Sequence, residues 1–384
     1  MRLTGARIAR DAKTAEVLNL EVRDGRISFA AGFSDSPVLD LTGFLVLPGL
    51  INAHDHLEFN LFPSLGRGTY KNAKSWAADI YQPSVSPLKE HLALSKRTRL
   101  IWGGLKNLLS GVTTVAHHNP LDDTVLHPSF PVKVVKHFGW AHSLDFSPDL
   151  VARFHSTPDH WPFILHAGEG VDERARSEVG RLEQLGVLSD RTVLVHAIGL
   201  DQPDLQLLRA RRSALVWCPS SNVSTYGQTL RASALHSDLS VILGTDSALT
   251  AQVDLIDEID VARRTHQLSP DDLFEMVTTR SARVLRLHDG EGTIREGGVA
   301  DLVIVEDHGQ SPAEALQRMQ PEIVMVRGSV RLVSPRFLNK REWPAINVEG
   351  RGIWFTDVDL PSVHEETVRA LGPEYRLAGR RVSQ

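Results

Sequence analysis

Seven short apolar runs divide the middle of the chain into repeating units, and most of them are followed at once by a histidine or an aspartate. The runs are LVLPGLINA, VTTVA, VKVV, PFIL, TVLV, ALVW and SVIL. Between them lie segments such as Ser95–Leu109, Ala175–Leu185 and Leu255–Arg264, whose apolar residues recur at three and four. Uninterrupted apolar strands alternating with amphipathic helices predict an α/β fold with a parallel sheet buried on both faces. A chain of 384 residues has room for a (β/α)8 TIM barrel of about 250 residues and a smaller domain. Seven runs leave one strand of such a barrel to be found, and it is expected between Trp140 and Trp161, where apolar content is weak.

The flanks read differently. Leu18 to Val22 alternates apolar and polar, Asp24-Gly25 is a hairpin-type turn, and Arg26 to Phe29 resumes the alternation. These strands bury little alone and need a partner sheet. After Ser269-Pro270 the segment DDLFEMVTTRSARVLRL predicts one helix; GTIREGGVADLVIVE and EIVMVRGSVRLV then return to strand character. Residues 350–384 are polar and irregular, and a tail lying on the surface is expected there.

Composition narrows the function classes. The formal net charge is −5 and no basic cluster dominates any stretch, so no nucleic-acid partner is expected. No run of about 18 apolar residues exists, so no membrane span is expected. The single cysteine, Cys218, excludes an intrachain disulfide and a Cys-rich metal site, and core packing is its expected role. The polar N-terminus lacks the apolar core of a signal peptide, and the expected compartment is the cytoplasm. A homodimer is left open.

The chemistry sits after the apolar runs. LVLPGLINA leads into His54, Asp55 and His56; PFIL into His166, with Glu169 three residues on; TVLV into His196; VILGT into Asp246. Strand ends at the C-terminal face of a barrel converge on one site. His54 and His56, two apart on an extended segment, share a face and can chelate one ion, while Asp55 between them faces away. Neutral imidazoles with one carboxylate suit one divalent metal ion, zinc first and iron second. Each element alone has an ordinary reading: an HxH pair is more often coincidental, and Asp after a strand is commonly a helix N-cap. The four together, each at a strand end, favour a metal centre of His54, His56, His166 and Asp246.

At these residues the chain resembles the amidohydrolase superfamily, on the branch of the cytosine, guanine and S-adenosylhomocysteine deaminases and the triazine hydrolases. PGLINAHDH resembles the first-strand motif, GVTTV the second strand, HAGE the fifth-strand HxxE, VHAIGL the sixth, CPSSN the seventh and LGTDS the eighth. TTRSARVLRL followed by GTIREGGVADLVIVE resembles the closing helix and strand. The resemblance implies a small β-sandwich built from both chain ends: residues 1–48 and 293–349, around a barrel of 49–292, with a tail of 350–384. The chain departs from the pattern in three places. No fourth-strand lysine that could bridge two metals is evident, Lys133 and Lys136 being weak candidates; Trp217 stands before CPSSN; and Ser247 follows Asp246.

The roles follow from the chemistry. A divalent ion lowers the pKa of bound water from about 15.7 to about 7 and so supplies hydroxide at neutral pH. Asp246 can orient that water as well as bind the ion. Glu169 can carry a proton from the water to the substrate. His196 can donate a hydrogen bond where charge develops, or add a further ligand. His117, His118 and Asn222 are weaker candidates for substrate contact, and Asn222 is as well suited to bracing. Phe59, Phe62 and Trp76, in the long loop after the first strand, can stack on a flat ring or simply pack. The expected reaction is hydrolytic deamination of a small nitrogen heterocycle (purine, pyrimidine, pterin or triazine-like) with release of ammonia. The alternatives are hydrolysis of a cyclic amide or a carbon–halogen bond on the same site, and, less favoured, a non-catalytic scaffold.

Overall fold

The computed structural model describes residues 1–29, 36–235, 238–266, 268–338 and 346–383. Residues 30–35 and 339–345, which fall in the segments expected to form the small sandwich, lie outside the described residues. Among the described residues, eight parallel strands run through the middle of the chain. They are β1 (Leu50–Asp55), β2 (Val112–His117), β3 (Lys133–Val134), β4 (Gly139–Trp140), β5 (Phe163–Ala167), β6 (Thr192–His196), β7 (Ala214–Trp217) and β8 (Val241–Leu243). Hydrogen bonds order them as β3-β2-β1 in one sheet and β4-β5-β6-β7-β8 in another. Beyond the end of β8 the chain returns to β1: Thr245 and Asp246 both donate their backbone N–H to the His54 carbonyl, each at 3.0 Å.

The strand missing from the sequence pattern is β4, two residues that begin before the segment expected to hold it. Its Gly139-Trp140 pair aligns with Phe163-Ile164 of β5. Only four residues separate β3 from β4, so no helix marks the boundary and the apolar run appears continuous. The helix expected after Ser269-Pro270 is two helices, Pro270–Met276 and Thr279–Val284. Val277 and Thr278 between them are fully buried, with Val277 donating its N–H to Phe274 O and Ile51 donating to Val277 O. That last bond ties the break to β1. The expected helix over Ala175–Leu185 is likewise split, into Glu173–Arg176 and Glu178–Gln184.

Both chain ends meet beside the parallel strands. Strand Phe44–Pro48 pairs antiparallel with Leu302–Glu306, Val46 opposite Ile304. A four-stranded sheet (Arg26–Ser28, Leu20–Arg23, Arg2–Thr4, Val38–Asp40) shares an apolar cluster with them: Leu3, Ile8, Leu20, Ile27, Val46, Leu302, Ile304 and Met325. Strand alternation sorts the side chains. Phe44 and Val46 enter this cluster, whereas Leu45 and Leu47 join the main core. A strand with a core on each side must read as the unbroken apolar run FLVLP.

Residues 350–384 are not an irregular tail. They contain strand Arg351–Phe355, helix Leu360–Leu371 and the pair Arg376–Leu377 and Arg380–Ser383. Leu360, Val363, Tyr375, Leu377 and Val382 are buried in the main core. The segment is anchored by Trp102, whose indole Nε1–H donates to Thr367 Oγ1 at 2.8 Å, and by Arg380, paired with Asp254 at 2.9 Å and Asp257 at 2.7 Å. Its charge-rich sequence hid a helix with a single apolar stripe. Thr367→Val keeps the shape and strands the buried indole N–H, so thermal melting should show a loss of about 1–3 kcal/mol; an unchanged midpoint would separate the C-terminal helix from Trp102.

Candidate metal and active site

The C-terminal ends of β1, β5 and β6 and the turn after β8 place their side chains in one buried volume. His54, His166 and His196 direct ring nitrogens to within 4.8 Å of one another, and so do His54 and His56 with a carboxylate oxygen of Asp246. His54 Nε2 lies 3.2 Å from His166 Nε2 and 3.7 Å from Asp246 Oδ1; His56 Nε2 lies 3.6 Å from the same oxygen. The backbone pays locally for this convergence. His196, Ala197 and Asp246 have φ of 76°, 56° and 58°, a left-handed conformation costing non-glycine residues of order 1–3 kcal/mol. Gly244 is required sterically, because a Cβ there would stand 2.7 Å from the Cβ of His54.

Hydrogen bonds fix where the ring protons sit. His166 Nδ1 faces the His142 carbonyl at 2.8 Å. A carbonyl only accepts, so Nδ1 carries the proton and Nε2 turns a lone pair into the site. His196 Nδ1 faces Asn222 Oδ1 at 2.8 Å, while Asn222 Nδ2 donates to the His196 carbonyl. The second bond sets the amide orientation, so His196 also holds its proton on Nδ1. Burial drives the His54 pKa down to about 4 and those of His118 and His166 well below the usual value, keeping the rings neutral. Burial alone would push the Asp246 carboxyl up. The bond to His54 and the fields of His196 and His56 outweigh it and hold the group well below the carboxylate range. Asp246 Oδ2 also accepts from Ser221 Oγ at 2.7 Å and Thr250 Oγ1 at 3.0 Å. Inward-facing neutral imidazoles beside one ionised carboxylate form a donor set that fits a single divalent ion.

Glu169 stands at the rim, its Oε1 3.6 Å from His196 Nε2 and accepting from the Tyr226 hydroxyl at 2.7 Å. Burial raises its pKa, which suits a group that must exchange protons near neutrality. Asp55 points away from this cluster into a buried polar layer, 2.8 Å from Lys106 Nζ and bonded by Asn60 and Asn107. His118 packs against His166 with ring centroids 4.5 Å apart and bonds to the Ala141 carbonyl. His117 turns aside to Glu58 at 3.5 Å. Lys133 is engaged by Glu291 and Asp301 at the opposite end of its strand, so it bridges no metals; Lys136 is exposed, whereas the cluster is buried. Cys218 is fully buried.

A long loop follows β1 and covers the site. Ala73 donates its N–H to the Glu169 carbonyl, Val171 to Lys71 O, and Tyr70 to Thr225 O. Phe62, Leu88 and Leu249 form an apolar wall with Phe59, Leu65 and Trp76 packed on it, and the Phe59 ring lies 6.3 Å from His56. Three contributors escaped the sequence reading: Tyr226, Ser221 and His142. Tyr226 was within reach, since it follows Asn222 at the i, i+4 spacing of one helix face.

A sequence profile of the amidohydrolase family matches residues 155–331. A 5-methylthioadenosine/S-adenosylhomocysteine deaminase of Syntrophobacter fumaroxidans is 27% identical over 343 residues, covering 72% of this chain and 75% of the relative. A 5'-deoxyadenosine deaminase of Methanothrix thermoacetophila is 24% identical over 365 residues, covering 79% and 85%. Among solved structures, an adenosine deaminase from Xanthomonas campestris with bound zinc superposes with TM-score 0.71 at 18% identity, over 96% of this chain and 97% of that one. An atrazine chlorohydrolase from Arthrobacter aurescens complexed with zinc gives TM-score 0.71 at 18% identity, over 96% and 99%.

Removing a donor should empty the centre. Purified protein is expected to hold about one zinc or iron per chain, because three imidazoles and a carboxylate make one donor set that would leave a position for water. His54→Ala and Asp246→Ala should each lose it by elemental analysis. Two ions per chain, or full retention in both variants, would contradict this donor set. Over residues 155–331 the chain is thus similar to the amidohydrolase family, and it shares its fold with the two zinc-bound structures.

Proposed function

We propose that the protein is a metal-dependent aminohydrolase that replaces an exocyclic amino group of a small nitrogen heterocycle by oxygen, with an adenine nucleoside as the first substrate to test. The observation that carries the reading is the pairing of Glu169 and His196 directly beside the donor cluster. The nucleoside is suggested by relatives named as 5-methylthioadenosine/S-adenosylhomocysteine and 5'-deoxyadenosine deaminases. In this reading the eight parallel strands close into a (β/α)8 barrel, and residues 1–48 with 293–349 form a β-sandwich beside it.

A divalent ion held by His54, His56, His166 and Asp246 would supply water activation near neutral pH. The chain's own residues do the rest. Glu169 takes a proton from the attacking water and delivers it to the ring nitrogen next to the reacting carbon. The remaining proton of that water, on the newly attached hydroxyl, then passes to the amino group, which leaves as ammonia as the C–N bond breaks and the oxygen stays on carbon as a carbonyl. An amino group departs poorly unless protonated, which is why a buried carboxylate of raised pKa belongs in this position. His196 keeps its first proton on Nδ1, so Nε2 donates to the developing oxygen only when the ring takes a second one. Glu169 stands 3.6 Å from that nitrogen.

The fold shared with the atrazine chlorohydrolase favours one second reading, hydrolysis of a carbon–halogen bond. Chloride leaves without protonation and releases no ammonia. The test is a screen of adenine nucleosides, aminopyrimidines, pterins, triazines and cyclic ureas, followed by ammonia release and ultraviolet change. Stoichiometric ammonia from an amino-heterocycle is expected. Glu169→Gln should retain metal and fold while kcat falls by roughly 10²–10⁴. Turnover of a halo-triazine or lactam alone, without ammonia, would move the assignment to the second reading, and near-normal turnover of Glu169→Gln would remove Glu169 as the proton carrier.

A further inference from the structure

One short helix touches three separate parts of the site. Helix Pro219–Tyr226 follows β7, starts on proline and ends at Gly227 in a left-handed cap. Ser221 Oγ donates to Asp246 Oδ2 at 2.7 Å; Asn222 Oδ1 accepts from His196 Nδ1 at 2.8 Å; Tyr226 donates its hydroxyl to Glu169 Oε1 at 2.7 Å. The three recipients belong to the turn after β8, to β6 and to the loop after β5. No other element described above bonds side chains of all three. Ser221 and Asn222 are fully buried and Tyr226 is 3% exposed, so none of these bonds competes with bulk water.

The helix is itself held. Glu258, fully buried on helix Leu255–His266, accepts the Ser220 backbone N–H at 3.0 Å. Thr225 O accepts from Tyr70 of the covering loop at 2.9 Å, and Asn222 Nδ2 bonds both the His196 carbonyl and Thr229 at 3.3 Å. A rigid segment that contacts three groups from three strands sets their mutual distances, which the strands alone cannot do to a fraction of an ångström.

We infer that helix Pro219–Tyr226 is the positioning element of the site, in which Ser221 orients Asp246, Asn222 fixes the His196 ring and its tautomer, and Tyr226 fixes the Glu169 carboxylate through Oε1, the oxygen that faces His196 Nε2. The Tyr226 part rests on the proposed role of Glu169; the Ser221 and Asn222 parts do not. Ser221, Asn222 and Tyr226 act through the groups they hold, and hydrogen bonds of this kind to metal-site residues are worth about 10–100-fold in metal affinity or activity.

The experiment uses the full chain with cobalt(II) in place of the native metal and 5-methylthioadenosine as substrate. Ser221→Ala should weaken cobalt retention about 10–100-fold and shift the cobalt absorption bands. In ¹⁵N-histidine-labelled protein, Asn222→Ala should lose the hydrogen-bonded ring N–H resonance of His196, and Asn222→Asp, which keeps the acceptor, should retain it. Tyr226→Phe, which preserves volume, should leave the cobalt spectrum and KM unchanged and lower kcat about 10-fold or more, and this loss should vanish in a Glu169→Gln background. Melting curves confirm that each variant is folded, and Ser221→Gly and Asn222→Ser replace any alanine variant that is not. If the folded variants leave the cobalt bands, the His196 resonance and kcat as in the parent, the helix is ordinary packing and the inference fails. A Tyr226→Phe loss that persists in Glu169→Gln protein overturns the Tyr226 part. Should Glu169→Gln remain active, or the substrate not be turned over, the proposed function fails instead, and the cobalt and resonance measurements still decide the positioning role.

Discussion

Dry convergence of basic nitrogens on one carboxylate is the constraint around which this molecule is arranged. His54, His56, His166 and His196 turn into a space shared with Asp246, each no more than 8% exposed. Buried imidazolium ions so close together would repel, and burial by itself disfavours the charged ring. Burial keeps the His54 and His166 rings neutral beside the ionised Asp246. His166, its proton held on Nδ1, turns a lone pair toward His54 Nε2, 3.2 Å away. A divalent cation would complete this donor set.

Much of the surrounding structure serves to keep those nitrogens where they are. The His142 carbonyl and Asn222 choose the tautomers of His166 and His196. Beneath them, Asp55 is neutralised by Lys106, itself 2% exposed, and wrapped by Asn52, Asn60, Asn107 and Thr245. Charges this deep are tolerated only with full pairing. This layer ties β1 to the turn after β8, so the two segments that carry His54, His56 and Asp246 are braced from below as well as by the Gly244 close approach.

The sequence made the site easier to read than the frame around it, for physical reasons. Metal-type side chains at strand ends combine two independent signals, an apolar run and a polar residue that such a run should not tolerate. Reading those ends gave His54, His56, His166 and Asp246, and the structure brings them together. β4 was invisible because Gly139 and Trp140 are too few to show a period and no helix separates them from β3. The break at Val277-Thr278 was invisible because periodicity runs straight across it and tertiary bonds, not propensity, create it. The C-terminal helix Leu360–Leu371 was lost among charges, since its buried stripe rests on Leu360, Val363 and Thr367 alone. Tyr226 was overlooked for the opposite reason. A buried tyrosine reads as core, and although its spacing from Asn222 puts it on the same helix face, the spacing does not name Glu169 as the partner of its hydroxyl.

X-ray absorption at the metal edge of zinc-loaded protein tests the central claim most directly, because it counts donors around the ion without requiring a substrate. Nitrogen and oxygen donors in the first shell at about 2.0–2.2 Å, with the outer-shell scattering of about three imidazoles, are the predicted result. A sulfur donor at about 2.3 Å, a single imidazole, or a second metal at about 3.5–4 Å would contradict it.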